Sequence, residues 1–197
     1  MTREDISEKF AADVANHQME ILLDSGVYRH LRFRKLGTYC MGFDIVTWPG
    51  YLSISGDMGC YVFARLNDMF DFFRHDIKDG QIRINTGYWA EKCQAQDKHG
   101  GIKNFSLDLF RQEVKEWADR DEELSEECCE AIEEELIDTH FDNEHDAIGA
   151  AMEFEHEGAR PFQDFWEVCC REYDYHYLWC CYAIVWAISQ YDKRGAK

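Results

Sequence analysis

Between positions 28 and 74, apolar and polar residues alternate in short runs, and turn residues separate the runs. Residues 28–35 place Tyr28, His30 and Arg32 on one side and Arg29, Leu31 and Phe33 on the other, the period of a half-buried strand. Leu36-Gly37-Thr38 turns the chain into a second run, 40–48, where Phe43 and Ile45 oppose Asp44 and Val46. Pro49-Gly50 leads to a third run, 51–55, and Gly56-Asp57-Met58-Gly59 to a fourth, 60–64. Connections this short join antiparallel neighbours, so the segment predicts a meander. Residues 81–85 offer one further strand.

Elsewhere the pattern takes a helical period. Residues 4–24 predict a helix with Ile6, Phe10, Val14, Ile21 and Leu22 on one face, His17 in the same stripe and Gly26 as its cap. Asn67 or Asp68 caps a short helix that turns Met69, Phe72 and Phe73 inward and stops at Gly80. Residues 88–96 predict another, and His99-Gly100-Gly101 marks a joint. Beyond it, Leu107, Phe110, Val114 and Trp117 form one stripe, and Leu124, Cys128, Ile132, Leu136 and Ile137 a second. Ala147, Ala150, Ala151 and Phe154 place a helix over 143–157. Pro161 opens a last helix or helix pair over 162–191. Residues 177–188, YLWCCYAIVWAI, fall short of the roughly 20 apolar residues of a membrane span. They predict a buried helix or a subunit interface. The expected fold is α+β: an antiparallel meander of three to five strands with flanking helices over 1–104, then an acidic all-helical half over 105–197.

Charge changes this picture. The chain carries 39 acidic and 21 basic residues, a net −18. Residues 1–104 are nearly neutral, with 13 basic against 14 acidic; within 119–157 there are 17 acidic residues and only Arg120 to oppose them. Such a segment repels nucleic acid and anionic membrane and attracts basic partners. An exposed helix ordinarily mixes signs at i,i+4 spacing, and this one does not. Glu122, Glu123, Glu126, Glu127, Glu130, Glu133, Glu134, Glu135 and Asp138 are the candidate partner-binding residues, a fixed negative surface resembling a phosphate backbone. The bland alternative is a solvated helix face. A second candidate is the basic run Arg29, Arg32, Arg34 and Lys35, which with Tyr28 and Phe33 offers RNA phosphate contacts and stacking. Asp44 and Asp57 lie near it as possible acid–base groups.

The remaining chemistry is sparse. Nine cysteines include three adjacent pairs, and the N-terminus MTREDISEKF is charged rather than apolar. The expectation is a reducing cytoplasm with thiols used as small hydrophobes. No zinc or phosphate-loop motif occurs. Cys169 and Cys180, if helical, stand roughly 16 Å apart along the axis, too far to share a metal. His140, Asp142, Glu144 and His145 form the densest group of potential ligands. Cys40, Cys60 and Cys93 share the first half with His30, His75 and His99, the types needed for a thiol nucleophile and its base. No catalytic residue, metal or cofactor is assigned.

The strings YRHLRFR, FDIVTWPGYLSISGDMG, YVFARLNDMFDFFR and INTGYWAEKC, within about residues 28–96, resemble a family of small uncharacterised proteins encoded by tailed bacteriophages and prophages. The resemblance implies a phage accessory protein in the cytoplasm of an infected bacterium. By analogy with other small acidic phage proteins, it implies a non-enzymatic inhibitor of a host nuclease, restriction or CRISPR system, acting as a nucleic-acid mimic. The alternatives are a nucleic-acid-processing enzyme or RNA-binding module on the basic sheet face, and an oligomeric module joined through residues 177–188.

Overall fold

Gly26-Val27, Pro49-Gly50 and Asp57-Met58 each reverse the chain within two residues. With one longer loop they fold residues 18–64 into five consecutive antiparallel strands. The computed structural model describes residues 3–74, 77–78, 81–98, 100–121 and 123–195. In order, the elements are α1 (Arg3–Val14), β1 (Gln18–Ser25), β2 (Tyr28–Arg34), β3 (Phe43–Trp48), β4 (Tyr51–Gly56), β5 (Gly59–Ala64), α2 (Met69–Arg74), β6 (Ile77–Lys78), β7 (Gln81–Ile82), α3 (Thr86–Lys92) and β8 (Cys93–Ala95). There follow β9 (Lys103–Phe105), α4 (Leu107–Ala118), α5 (Glu126–Ile132), a π-helical turn (Glu133–Ile137), α6 (Glu144–Glu153), a 3-10 turn (Phe165–Glu167), β10 (Arg171–Tyr173) and α7 (Tyr175–Gly195). The chain is α+β and forms two compact units, one of residues 1–102 with 173–197 and one of 103–172. That division differs from the expected 1–104 and 105–197 in returning α7 to the unit that holds the sheet.

In the first unit the sheet has six strands, ordered β1-β2-β3-β4-β5-β8. Residues 18–25 are the first strand and not the end of a helix. Val14 closes α1, and Met19 and Ile21 pair with Phe33 and Leu31 across the ladder. A bulge after Ile21 disturbs the alternation, which is why the run also fits a helix. Gly26, at φ 60°, occupies the first central position of a type II′ hairpin and does not cap a helix. Residues 40–42 are loop, so β3 starts at Phe43. Gln81–Ile82 pairs with Ile77–Lys78 in a separate short ladder, and Cys93–Ala95, expected as helix, pairs with β5. In α2 it is Phe70, with Met69 and Phe73, that is buried, while Phe72 is half-buried. Gly80 and His99 lie outside the described residues.

The inner face of the sheet, with Leu31, Phe33, Ile45, Leu52, Ile54, Tyr61 and Phe63 fully buried, is the floor of the main core. Ile6, Phe10 and Val14 of α1, Met69 and Phe70 of α2, and α7 complete that core. From Tyr177 to Ile188 every residue except the half-buried Trp186 is buried within this chain. A helix that is apolar all round needs such surroundings. Its aromatic rings lock onto the sheet: Trp186 meets Phe33 edge-on at 5.3 Å, and Trp179 meets Phe43 at 5.6 Å.

In the second unit, Ser106, Ser125 and Asn143 cap α4, α5 and α6, each accepting a backbone N–H. Phe110, Val114, Cys128, Ile132, Leu136, Ala147, Ala151 and Phe165 are central to its core. The π turn after α5 has a physical cause: the Asp138 N–H donates to Glu133 O at 2.8 Å, and the widened turn lets the consecutive Leu136 and Ile137 both enter the core. The unit is not all helical. Residues 162–174 hold a 3-10 turn and β10 where a long helix was expected, and β10 pairs with β9.

Candidate functional site

The acidic residues of 123–138 owe their placement to the apolar spacing around them. Cys128, Ile132 and Leu136 recur every four residues and turn one stripe of the helix into the core. Ile137 joins it, Leu124 and Ala131 pack at its edge, and the carboxylates on the remaining circumference face solvent. Glu123, Glu126, Glu127, Glu130, Glu133, Glu134, Glu135 and Asp138 are all exposed, and Glu122 lies outside the described residues. Glu126 and Glu127 sit in the first turn, where the helix dipole favours negative charge. Glu134, Glu135 and Asp138 sit at the other end, where it opposes it, and no basic residue occupies that last turn. Among the described residues the one ion pair of these eight carboxylates is Lys115 with Glu133, at 3.4 Å. Residues 103–172 hold six basic and 23 acidic residues, a net −17. The second unit therefore carries nearly the whole net charge of the chain.

The basic candidates divide. Arg29 points to the inner side of the sheet and is 8 % exposed. Its guanidinium donates to both oxygens of Asp68 at 2.9 and 2.8 Å and lies 4.4 Å over the ring of Phe70. It is a core residue and is removed from the expected nucleic-acid edge. Burial pushes the Asp68 carboxyl up, but Arg29 and the Phe70 N–H outweigh it and hold the group below its ordinary range. On the outer side, His30 Nε2 meets Asp44 at 2.7 Å, and Arg32 donates to both Asp44 oxygens at 3.2 Å. Burial again raises the Asp44 carboxyl, and these two partners overcome it and hold it low. Arg34 stands 3.8 Å from Asp44, and Lys35 is exposed with no ion pair among the described residues.

Sequence reasoning missed the loop of residues 35–42, although its length was a signal. The three other connections of the five-strand meander use two residues each; this one uses eight. It is tied down at several points. The Met41 N–H donates to Asp57 Oδ2 at 2.8 Å, the Cys40 N–H to Thr38 Oγ1 at 3.0 Å, and the Gly42 N–H to Tyr39 O at 2.9 Å. His17, expected in a helix stripe, instead lies before β1 with Nε2 3.0 Å from Met41 O. Met41 is left-handed, at φ 54°. Two hollows flank the loop. One, of about 540 Å³, is lined by Gln18, Glu20, Arg32, Arg34, Lys35 and Tyr39 among others. The other, of about 350 Å³, brings Arg34, Asp44, Ser55 and Asp57 together. Asp44 and Asp57 thus do share a hollow, but one is held by His30 and Arg32 and the other accepts a backbone N–H.

The thiols and the mixed His/acid group offer less. All nine cysteines are free; four, Cys128, Cys170, Cys180 and Cys181, are buried, while Cys40, Cys60, Cys129 and Cys169 are exposed, more than their expected use as hydrophobes provides for. Burial pushes the Cys170 thiol up to about 12, away from nucleophilic use. His30 is engaged by Asp44, and His75 and His99 lie outside the described residues. Glu144 accepts from Arg171 at 2.7 Å, His140 meets Asp142 at 3.3 Å, and among the described residues no three ligands are placed to hold a metal ion. Among those residues no helix is long and apolar enough to cross a membrane.

Comparison of the chain with protein-family models, with curated proteins and with solved structures finds no match.

Proposed function

We propose that this protein is a non-enzymatic binder whose acidic helical unit occupies the basic, nucleic-acid-binding surface of a partner protein. The observation that carries the proposal is the row of eight exposed carboxylates over residues 123–138, with one lysine paired against them among the described residues. Like charges at helix spacing cost stability, and a fold under selection for stability alone intersperses lysines. A fixed row of carboxylates instead gives electrostatic complementarity to a groove built for phosphates, and speeds encounter with it. The resemblance of residues 28–96 to phage and prophage proteins suggests the class of partner: a host nuclease, restriction or CRISPR component in the bacterial cytoplasm. The sheet unit then serves as scaffold. Its basic residues support the RNA-binding alternative less well, since Arg29 is buried and Arg32 is held by Asp44. The oligomer alternative is weakened in the same way, because residues 177–188 are packed inside their own chain.

The test is competitive capture. Immobilised protein is exposed to bacterial lysate, and the retained proteins are challenged with duplex DNA. The proposal expects a DNA-binding protein to be retained, to be released by the duplex, and to be lost when Glu130, Glu133, Glu134 and Glu135 are changed to Lys. Retention that resists both the duplex and the charge reversal refutes it.

A further inference from the structure

The loop of residues 35–42 does more than reverse the chain, since two residues suffice for that in the neighbouring hairpins. It is pinned by His17 and Asp57 and holds Met41 in a strained backbone conformation. Yet it leaves Leu36 78 % and Tyr39 75 % exposed. An ordered loop that spends strain to hold two large apolar side chains in solvent is the signature of a prepared contact surface. One face of the Tyr39 ring is covered by the Arg34 guanidinium, 4.6 Å from its centroid. The adjoining hollow, of about 540 Å³, lies in the range of small-ligand sites. Three cations, Arg32, Arg34 and Lys35, line it against one carboxylate, Glu20. Arg32 is engaged by Asp44 and stands 3.7 Å from Glu20, which leaves the loosely held Arg34 and Lys35, which has no ion pair among the described residues. Two positive charges beside an aromatic ring match a phosphomonoester, whose charge is close to −2 at neutral pH, joined to a planar base.

We propose that the hollow between β1 and the 35–42 loop binds a free mononucleotide, with its phosphate at Arg34 and Lys35 and its base against Tyr39. Thr38 and Gln18 supply further polar contacts at the rim. The site lies wholly in the first unit and is independent of the acidic helices. Its test is a titration of the full chain, followed by amide NMR, with AMP, with inorganic phosphate and with adenosine separately. AMP is expected to shift the amides of residues 35–42 saturably and to bind at least about tenfold more tightly than phosphate or adenosine. Lys35→Gln and Tyr39→Ala, both at exposed positions where the fold is not at stake, are each expected to weaken AMP about tenfold. Reversal of Glu130, Glu133, Glu134 and Glu135 leaves it unchanged. A 5′-phosphorylated hexanucleotide is expected to bind more weakly than AMP, because a hollow of about 540 Å³ holds one nucleotide and the rest of the strand gains no contact. The proposal is overturned if AMP produces no saturable shift in that loop, binds no better than phosphate, is indifferent to both substitutions, or is surpassed by the hexanucleotide.

Discussion

Removing the Asp68 carboxylate leaves the Arg29 guanidinium charged within the first unit's core. Asp68 accepts both ends of the guanidinium fork and, in addition, the Phe70 N–H at the start of α2. Breaking a buried ion pair from one side costs about 3–5 kcal/mol. The Asp68 side chain is 22 % exposed, so water reaches the site and lowers that cost to about 2–3 kcal/mol. Loss of the cap adds about 1 kcal/mol. D68A is therefore expected to destabilise the protein by about 3–4 kcal/mol. R29M keeps the length of the side chain and removes the charge; it forfeits the contact over Phe70 and the paired hydrogen bonds, and costs about 1–2 kcal/mol. The double variant leaves no orphaned charge and should be more stable than the sum of the two by about 2 kcal/mol. Equilibrium urea unfolding followed by far-UV circular dichroism reads all four proteins. If D68A costs less than about 1 kcal/mol, or if the two changes simply add, Arg29 is not a core residue and returns to the list of groups available to an external phosphate.

Gly56 approaches the backbone of the neighbouring strand so closely that an added Cβ would lie 2.2 Å from Gly42 O and 2.7 Å from Phe43 Cα. G56A should therefore cost at least about 2 kcal/mol in the same unfolding assay, and a neutral result would contradict the placement of β3 against β4. E130K places a lysine four residues after Glu126 in α5, converting a like-charge pair into a favourable one. It should raise stability by a few tenths of a kcal/mol while weakening partner binding, and a loss of stability would mean that Glu130 has a structural partner. Asp44 and Asp68 are both held below their ordinary range, so their ionised forms stabilise the fold. That stability is complete above the unfolded carboxylate value of about 4 and is lost as pH falls through the lowered folded values. Between pH 7 and pH 3, D44N should accordingly lose less stability than the natural protein, and an equal loss would refute the electrostatic assignment.

The meander was legible because its turn chemistry is strong: Pro49-Gly50 and the Gly56–Gly59 reversal sit between runs of period 2, and β3, β4 and β5 pair across them. The capped helices α4 and α6 were legible for a similar reason, since Ser106 and Asn143 precede clear apolar periods. β1 was not. Its bulge puts Leu22 and Leu23 out of alternation, and Gly26 serves a helix cap and a type II′ turn equally well until the partner strand is known. Arg29 was misplaced although it alternates onto the face of Leu31 and Phe33, because its counter-charge, Asp68, is 39 residues away and a guanidinium is at home in a core only beside such a partner. The apolar run 177–188 was read as a buried helix or a subunit interface; it is buried within its own chain, and which unit buries it depends on long-range packing. The exposure of the acidic row followed directly from the four-residue spacing of Cys128, Ile132 and Leu136. The hollow beside residues 35–42 did not, because it depends on how an eight-residue loop settles against β1.

The central claim is that the acidic row is the working surface. Its most direct measurement is the affinity of the purified chain for its captured partner, with and without the reversal of Glu130, Glu133, Glu134 and Glu135, across a range of salt. The natural protein should bind with an affinity that falls steeply as salt rises, and the reversed protein should bind at least about a hundredfold more weakly at low salt. Equal affinities for the two proteins, with the same salt dependence, would show that the partner is held elsewhere and that the row is only a solvated helix face.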